Sequence, residues 1–233
     1  MKQKIKNKEM DMINGGIAGN LIIFALPVAF SSIMQQLFNS ADVAVVGRFA
    51  GDNALAAVGS CVALVGIFVN LIVGLSVGPN AVLANLIGQN KRERISGMMH
   101  TILAFGLILG GGLMVIGMLT ARTILELSGT PESVMGQALL YIWIYFTGIP
   151  FIVICNFGSA ILRSFGDTRH PMYYLIISGI VNVALNLFLV ICFHMGVAGV
   201  AIATVISNIL SAALVLICLY RRDDEFQFRF RRL

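Results

Sequence analysis

From Pro171 to Tyr220 the chain reads PMYYLIISGIVNVALNLFLVICFHMGVAGVAIATVISNILSAALVLICLY, fifty residues without an Asp, Glu, Lys or Arg. A helix needs about 20 apolar residues to cross a bilayer core, so this run holds two crossings. His194-Met195-Gly196-Val197-Ala198-Gly199 in its middle has the glycines and polarity of a tight connection. Outward from it, Met12–Ala41, Asn53–Asn90, Ile95–Ala121 and Ser133–Leu162 are also free of those four residue types. The pattern predicts an all-α membrane protein, a bundle of six transmembrane helices over about 17–47, 54–86, 96–120, 133–160, 171–193 and 198–220. The first two spans exceed a bilayer thickness and are expected to tilt or project beyond it.

Composition agrees. Soluble domains carry about 25% charged residues, whereas here the charged fraction is 12%, the hydrophobic fraction 58% and the mean hydropathy +0.90. The basic residues also divide unevenly between alternate loops. Lys2, Lys4, Lys6, Lys8, Lys91, Arg92, Arg94, Arg163, Arg169, Arg221, Arg222, Arg229, Arg231 and Arg232 fall on one side, with only Arg48 and Arg122 on the other. Basic loops stay in the cytoplasm. Both termini, segment 1–16 and tail 221–233, are therefore expected there, in a multi-pass protein of the cytoplasmic (inner) membrane. The net charge of +5 follows from juxtamembrane Lys and Arg beside anionic headgroups and calls for no nucleic-acid partner. The first apolar run is too long for a signal peptide and lacks a small-residue cleavage site, so it is expected to be a retained helix.

An acid inside a span costs about 3 kcal/mol on insertion scales and marks a functional site by default. Asp42 alone qualifies. Ser31, Gln35, Asn39 and Asp42 are spaced 4, 4 and 3 and share one helix face. Pro27, upstream, removes a backbone hydrogen bond and permits a kink. The fifth span repeats the stripe with Ser178, Asn182 and Asn186, and the sixth with Thr204, Asn208 and Ser211. Such polar side chains also serve as interhelical glue. For Asp42 the transport reading is preferred, because a proton and a cation compete for one carboxylate, and amide and hydroxyl oxygens complete the shell of a hard cation.

Other features read as structural. Gly106 and Gly110, and Gly74 and Gly78, form GxxxG pairs that suggest close helix packing. Pro79 and Pro150 could kink their spans. Thr130-Pro131-Glu132 has the pattern of cap, first helical position and first-turn acid. Tyr141, Trp143 and Tyr145 are expected as interface anchors. Cys61, Cys155, Cys192 and Cys218 show no paired spacing and are expected as small buried side chains, with no zinc site or disulfide. The three histidines share no motif, and no nucleophile, base and orienting group converge, so enzyme chemistry has no support and no cofactor is expected.

The residues resemble the multidrug and toxic compound extrusion (MATE) family of secondary transporters. The resemblance is carried by Leu26-Pro27, Gln35-Gln36-Leu37-Phe38-Asn39, Asp42-Val43-Ala44-Val45-Val46-Gly47-Arg48, Ala54-Leu55-Ala56-Ala57-Val58-Gly59, Gly166-Asp167-Thr168, Asn182-Val183-Ala184-Leu185-Asn186 and Gly196 to Thr204. It implies a drug/cation antiporter in which this lobe binds H+ or Na+ as the coupling ion and exports small organic, often cationic, molecules. The family's amino-lobe cation site looks carried over at Gln35, Asp42, Asn182 and Thr204, with Asn186 where many members have a second acid. Ser178, Asn39 and Asn208 are candidate cavity residues, and Pro27 is the position at which the family's first helix bends. Members usually have twelve helices, which implies a second six-helix lobe, in the same chain or in another. The expectation is that this sequence is the first half of such a protein. Two alternatives are a related flippase for lipid-linked saccharides, disfavoured because Arg48 is the only basic residue in a span and sits at an edge, and a non-transporting membrane assembly partner.

Overall fold

The computed structural model describes residues 17–89 and 92–221. The expected basic segment 1–16, Lys91 and nearly all of the tail 221–233 lie outside those residues. Seven α-helices follow in chain order: α1 Ile17–Phe49, α2 Asp52–Gly88, α3 Arg92–Leu127, α4 Glu132–Thr147, α5 Ile149–Ser164, α6 Arg169–Leu187 and α7 Gly196–Arg221. A π-helical turn, Phe188–Cys192, prolongs α6. Lipid offers no hydrogen-bond partners, so a chain this apolar closes its backbone bonds within helices.

Among the described residues five single helices are long and apolar enough to cross a membrane, and α4 with α5, bent by 44° at their junction, would make a sixth crossing as one broken span. The protein is thus a multi-pass membrane bundle of five or six crossings. The fourth span, expected as one helix over 133–160, is broken at Gly148, with Pro150 in the first turn of α5. Proline lacks the amide hydrogen a continuous helix would need there. By contrast α1 runs through Pro27 and α2 through Pro79 as single helices. The third helix outruns its expected end at 120, because Arg122 pairs with Glu126 one turn on at 2.8 Å and both stay exposed.

Two connections differ from their expected form. Helix α4 begins at Glu132 with Pro131 in the capping position, so Thr130 is not the cap, and its hydroxyl is buried without a hydrogen-bond partner among the described residues. The link between the last two spans is shorter than His194–Gly199: α7 already starts at Gly196, and the reversal is made by His194 and Gly196 at φ of 53° and 51°.

Helix α5 lies at the middle of the bundle, packed on α2, α3 and α7, while α6 packs on α7 and α1, and α4 on α2 and α7. Its side chains Val153, Phe157, Ile161 and Leu162 are buried. Glycine sets the closest approaches. A Cβ at Gly110 would stand 2.8 Å from the Pro150 Cα, and one at Gly106 2.8 Å from the Phe157 ring, so this pair is a packing surface of α3 against α5. Gly74 and Gly78 differ, with nothing within 4 Å of either position. Gly179 on α6 takes the Phe38 ring of α1 against its backbone.

Helix α1 is the least covered element. Only 6% of its most apolar window is buried inside the chain, against 28–33% for the other unbroken spans, and Ile22, Leu26, Ile33 and Leu37 are each more than half exposed. All four cysteines are free, and Cys61 is buried as expected. Cys192 is not: the π-helical turn leaves it exposed.

Candidate functional site

Three helices meet at one polar centre. Asp42 lies near the end of α1, half-buried, with Val45 and Val46 buried just beyond it. The one-turn spacing of Asn182 and Asn186 stacks both amides on the face of α6 that looks inward, where they are 5% and 0% exposed. Thr204 comes from α7, on its second turn past the reversal at Gly196.

The contacts form a chain across all three. The Asn186 Nδ2 group donates to Asp42 Oδ1, and also reaches Asn182 Oδ1 at 3.3 Å. Asn182 Nδ2 in turn donates to Thr204 Oγ1 at 3.3 Å. Thr204 spends its own proton on the Val200 carbonyl at 2.9 Å, while its hydroxyl oxygen lies beside the Asp42 carboxylate. An amide that turns its nitrogen to the carboxylate must turn its oxygen away. Asn186 Oδ1 is buried and has no donor among the described residues. Burying such an acceptor unpaired costs about 1–3 kcal/mol.

The centre mixes donors with acceptors: the Asn186 and Asn182 amide nitrogens donate into it, while the Asp42 carboxylate, the Asn182 oxygen and the Thr204 oxygen are hard ligands of the kind that hold a proton or an alkali cation. Among the described residues no three His, Cys, Asp or Glu side chains converge as a metal set would require.

The remaining expected residues are placed differently. Gln35 and Asn39 share the Asp42 face of α1 but are exposed one to two turns away, outside the hydrogen-bonded centre. Gln35 thus stands apart from the set Asp42, Asn182, Asn186 and Thr204. Ser178 is buried yet donates back to its own helix, to Tyr174 and Leu175 carbonyls at 2.8 and 3.1 Å. Asn208 is half-buried on α7, and no described hydrogen bond joins it to the centre. Pro27 is buried, and the Ser31 hydroxyl donates to its carbonyl at 2.8 Å.

Two residues near the centre escaped the sequence reading. Tyr141 and Tyr145, expected as interface anchors, are each 7% exposed and stack with ring centroids 6.0 Å apart, within electrostatic range of Asp42. Trp143, between them, points outward at 51% exposure. The signal was available in the spacing: residues 141 and 145 share a helix face and 143 lies on the opposite one.

Fold and centre together define a multi-pass helical membrane protein with one intramembrane carboxylate held by side chains of two further helices. The chain belongs to the MatE family, whose sequence profile matches residues 27–188. It is 32% identical over 213 residues to the probable multidrug resistance protein YoeA of Bacillus subtilis (strain 168), covering 90% of this chain and 46% of that one. It is also similar to an FAD transporter of Shewanella oneidensis, with 26% identity over 95% of this chain and 50% of that protein. Among solved structures, a crystal structure of MATE in the bent conformation superposes with a TM-score of 0.87 at 25% identity, covering 94% of this chain and 49% of that one. The chain spans about half the length of the curated relatives it matches.

Proposed function

We propose that this chain is the ion-binding lobe of a secondary-active exporter that moves small organic, often cationic, molecules out of the cell in exchange for H+ or Na+. The observation that carries the proposal is the Asp42 carboxylate inside a membrane span, met by Asn186 and Thr204 from two other helices. A carboxylate kept from water is stabilised by a positive charge beside it, and a proton or Na+ supplies it. Loading the site pulls α1, α6 and α7 together through one ion. Emptying it removes that link between α1 and α7 and leaves α1 held by α6, through the Asn186 bond and the Phe38–Gly179 contact.

The name of the B. subtilis relative supports the substrate class, and the half-length match supports a second six-helix lobe facing the exposed side of α1. The basic residues favour cytoplasmic loops at 90–94 and 163–169. Asp42 then sits in the outer half of the membrane, about 10 Å from the outer end of α1. Ions entering from outside reach it first. Each elementary charge that crosses 100 mV releases about 2.3 kcal/mol, so one or two ions per cycle sustain a steep outward gradient.

The test is drug efflux from cells carrying the complete transporter with Asp42→Asn. The expected outcome is loss of efflux at unchanged membrane abundance. Undiminished efflux by that variant would remove Asp42 from the mechanism.

A further inference from the structure

A second polar feature lies at the opposite end of the bundle. Between the first turns of α6 and the last turns of α7 there is a cavity of about 350 Å³. Its distance from Thr204, measured along α7 to Cys218, is about 21 Å, so it is separate from the ion centre.

The walls are graded with depth. At the mouth stand Asp167, His170 and Arg221, one level below come Tyr174 and Cys218, and Leu214 and Ile217 form the floor. Leu214 is seven residues before Arg221, or about 10 Å deeper in the membrane. A charged mouth above an apolar floor, with a tyrosine between them, is the profile of a bilayer interface read from headgroup to acyl chain.

The charges at the mouth are of both signs and are arranged in order. Asp167 stands just ahead of α6: its Oδ1 accepts the His170 backbone amide at 3.2 Å, and its Oδ2 pairs with His170 Nδ1 at 2.6 Å. A carboxylate has about four lone-pair sites, so each oxygen keeps one for a further donor. Acceptors for a small cation therefore sit on the α6 side, on the Asp167 carboxylate. On the α7 side, Arg221 presents only donors, in a fork that matches phosphate oxygens. A simple anion would meet Arg221 but also the Asp167 carboxylate. A molecule carrying an ammonium and a phosphate a few ångströms apart meets favourable partners at both ends.

We infer that the α6–α7 groove is a binding site for an aminophospholipid, with the ethanolamine ammonium on Asp167, the phosphate on Arg221, and the first part of an acyl chain over Leu214 and Ile217. The bilayer is the source of the ligand, because the groove floor lies at acyl depth. A lipid seated there bridges the start of α6 and the end of α7, the two helices that carry Asn182, Asn186 and Thr204 at their other ends.

Native mass spectrometry of the purified full-length transporter tests the assignment, after exposure to equal amounts of phosphatidylethanolamine and phosphatidylglycerol with matched chains. Retention of the ethanolamine lipid about tenfold over the glycerol lipid is expected, the effect of one charge-assisted contact. Arg221→Gln, which removes the phosphate partner of both lipids, and Leu214→Trp, which fills the floor without touching the start of α6, should each lower retention of both lipids about tenfold at an unchanged melting temperature, whereas Asp167→Asn, which keeps an oxygen for the His170 amide and removes the charge facing the ammonium, should bring the ratio to about one. Equal retention by the unmodified protein, a preference for the glycerol lipid, retention unchanged by Arg221→Gln and Leu214→Trp, or a preference that survives Asp167→Asn would overturn the proposal. Displacement of the bound lipid by millimolar glycerophosphoethanolamine would overturn its bilayer source.

Discussion

At the scale of residues, Asp42 matters because of its neighbours. An isolated carboxylate in a membrane is an energetic liability, and here it is offset by an amide that gives its nitrogen and strands its oxygen. Asn186→Ala should lower the melting temperature, since a hydrogen bond between membrane helices contributes about 0.6–2 kcal/mol, and thermal unfolding in detergent will measure it. The same geometry fixes the sign of a pH effect. A proton on Asp42 must leave before Na+ can use that carboxylate. Lowering the pH through the range where Asp42 takes up its proton should therefore weaken Na+ binding, by about tenfold per pH unit. Na+-induced thermal stabilisation measured across pH will show it, and a pH-independent Na+ effect would place the ion elsewhere. The acid, both asparagines and the threonine of this centre were legible in the sequence because charge-free spans make any polar periodicity stand out. That Gln35 stands outside the hydrogen-bonded centre was not legible, since face-sharing along one helix does not say how far the partner helices extend. The inward position of Tyr141 and Tyr145 was missed for another reason: residue type, which suggested an interface belt, was weighed over their one-turn spacing.

At the scale of elements, the contrasts come from how closely helix backbones approach. Hydropathy located the spans because the cost of an unpaired backbone in lipid dominates every other preference. It could not show that the fourth crossing is two helices, because a Gly-Ile-Pro step within an apolar run leaves hydropathy unchanged while interrupting the hydrogen-bond ladder. That bend presses Pro150 against Gly110. Gly110→Ala puts a methyl group 2.8 Å from a backbone atom that cannot turn aside, and should cost about 1–3 kcal/mol of stability. Two residues on, Gly112→Ala meets nothing within 4 Å and should be neutral or slightly stabilising through its better helix propensity. Paired melting curves for the two variants will check the contrast.

For the whole molecule, the uneven covering of the helices is the main observation. Five crossings share a core centred on α5, while α1 carries the key carboxylate and is almost uncovered. On the proposed function, α1 would hold an ion on one side and face a second lobe on the other, and a helix so placed is suited to move against that lobe. The topology proposed from the basic residues makes a direct prediction: in a cysteine-free background, a cysteine at 51 or 129 should react with an impermeant maleimide added outside intact cells, and one at 166 only after permeabilisation. The reverse pattern would invert the lobe and place Asp42 nearer the cytoplasm.

On the proposed function an ion on Asp42 drives transport. Proteoliposomes of the complete transporter will check this, by comparing uphill substrate accumulation under an imposed H+ or Na+ gradient with gradient-free counterflow. Asp42→Asn should abolish gradient-driven accumulation and retain counterflow, because the substrate path survives while its coupling is lost. Accumulation by Asp42→Asn equal to that of the unmodified protein would contradict it.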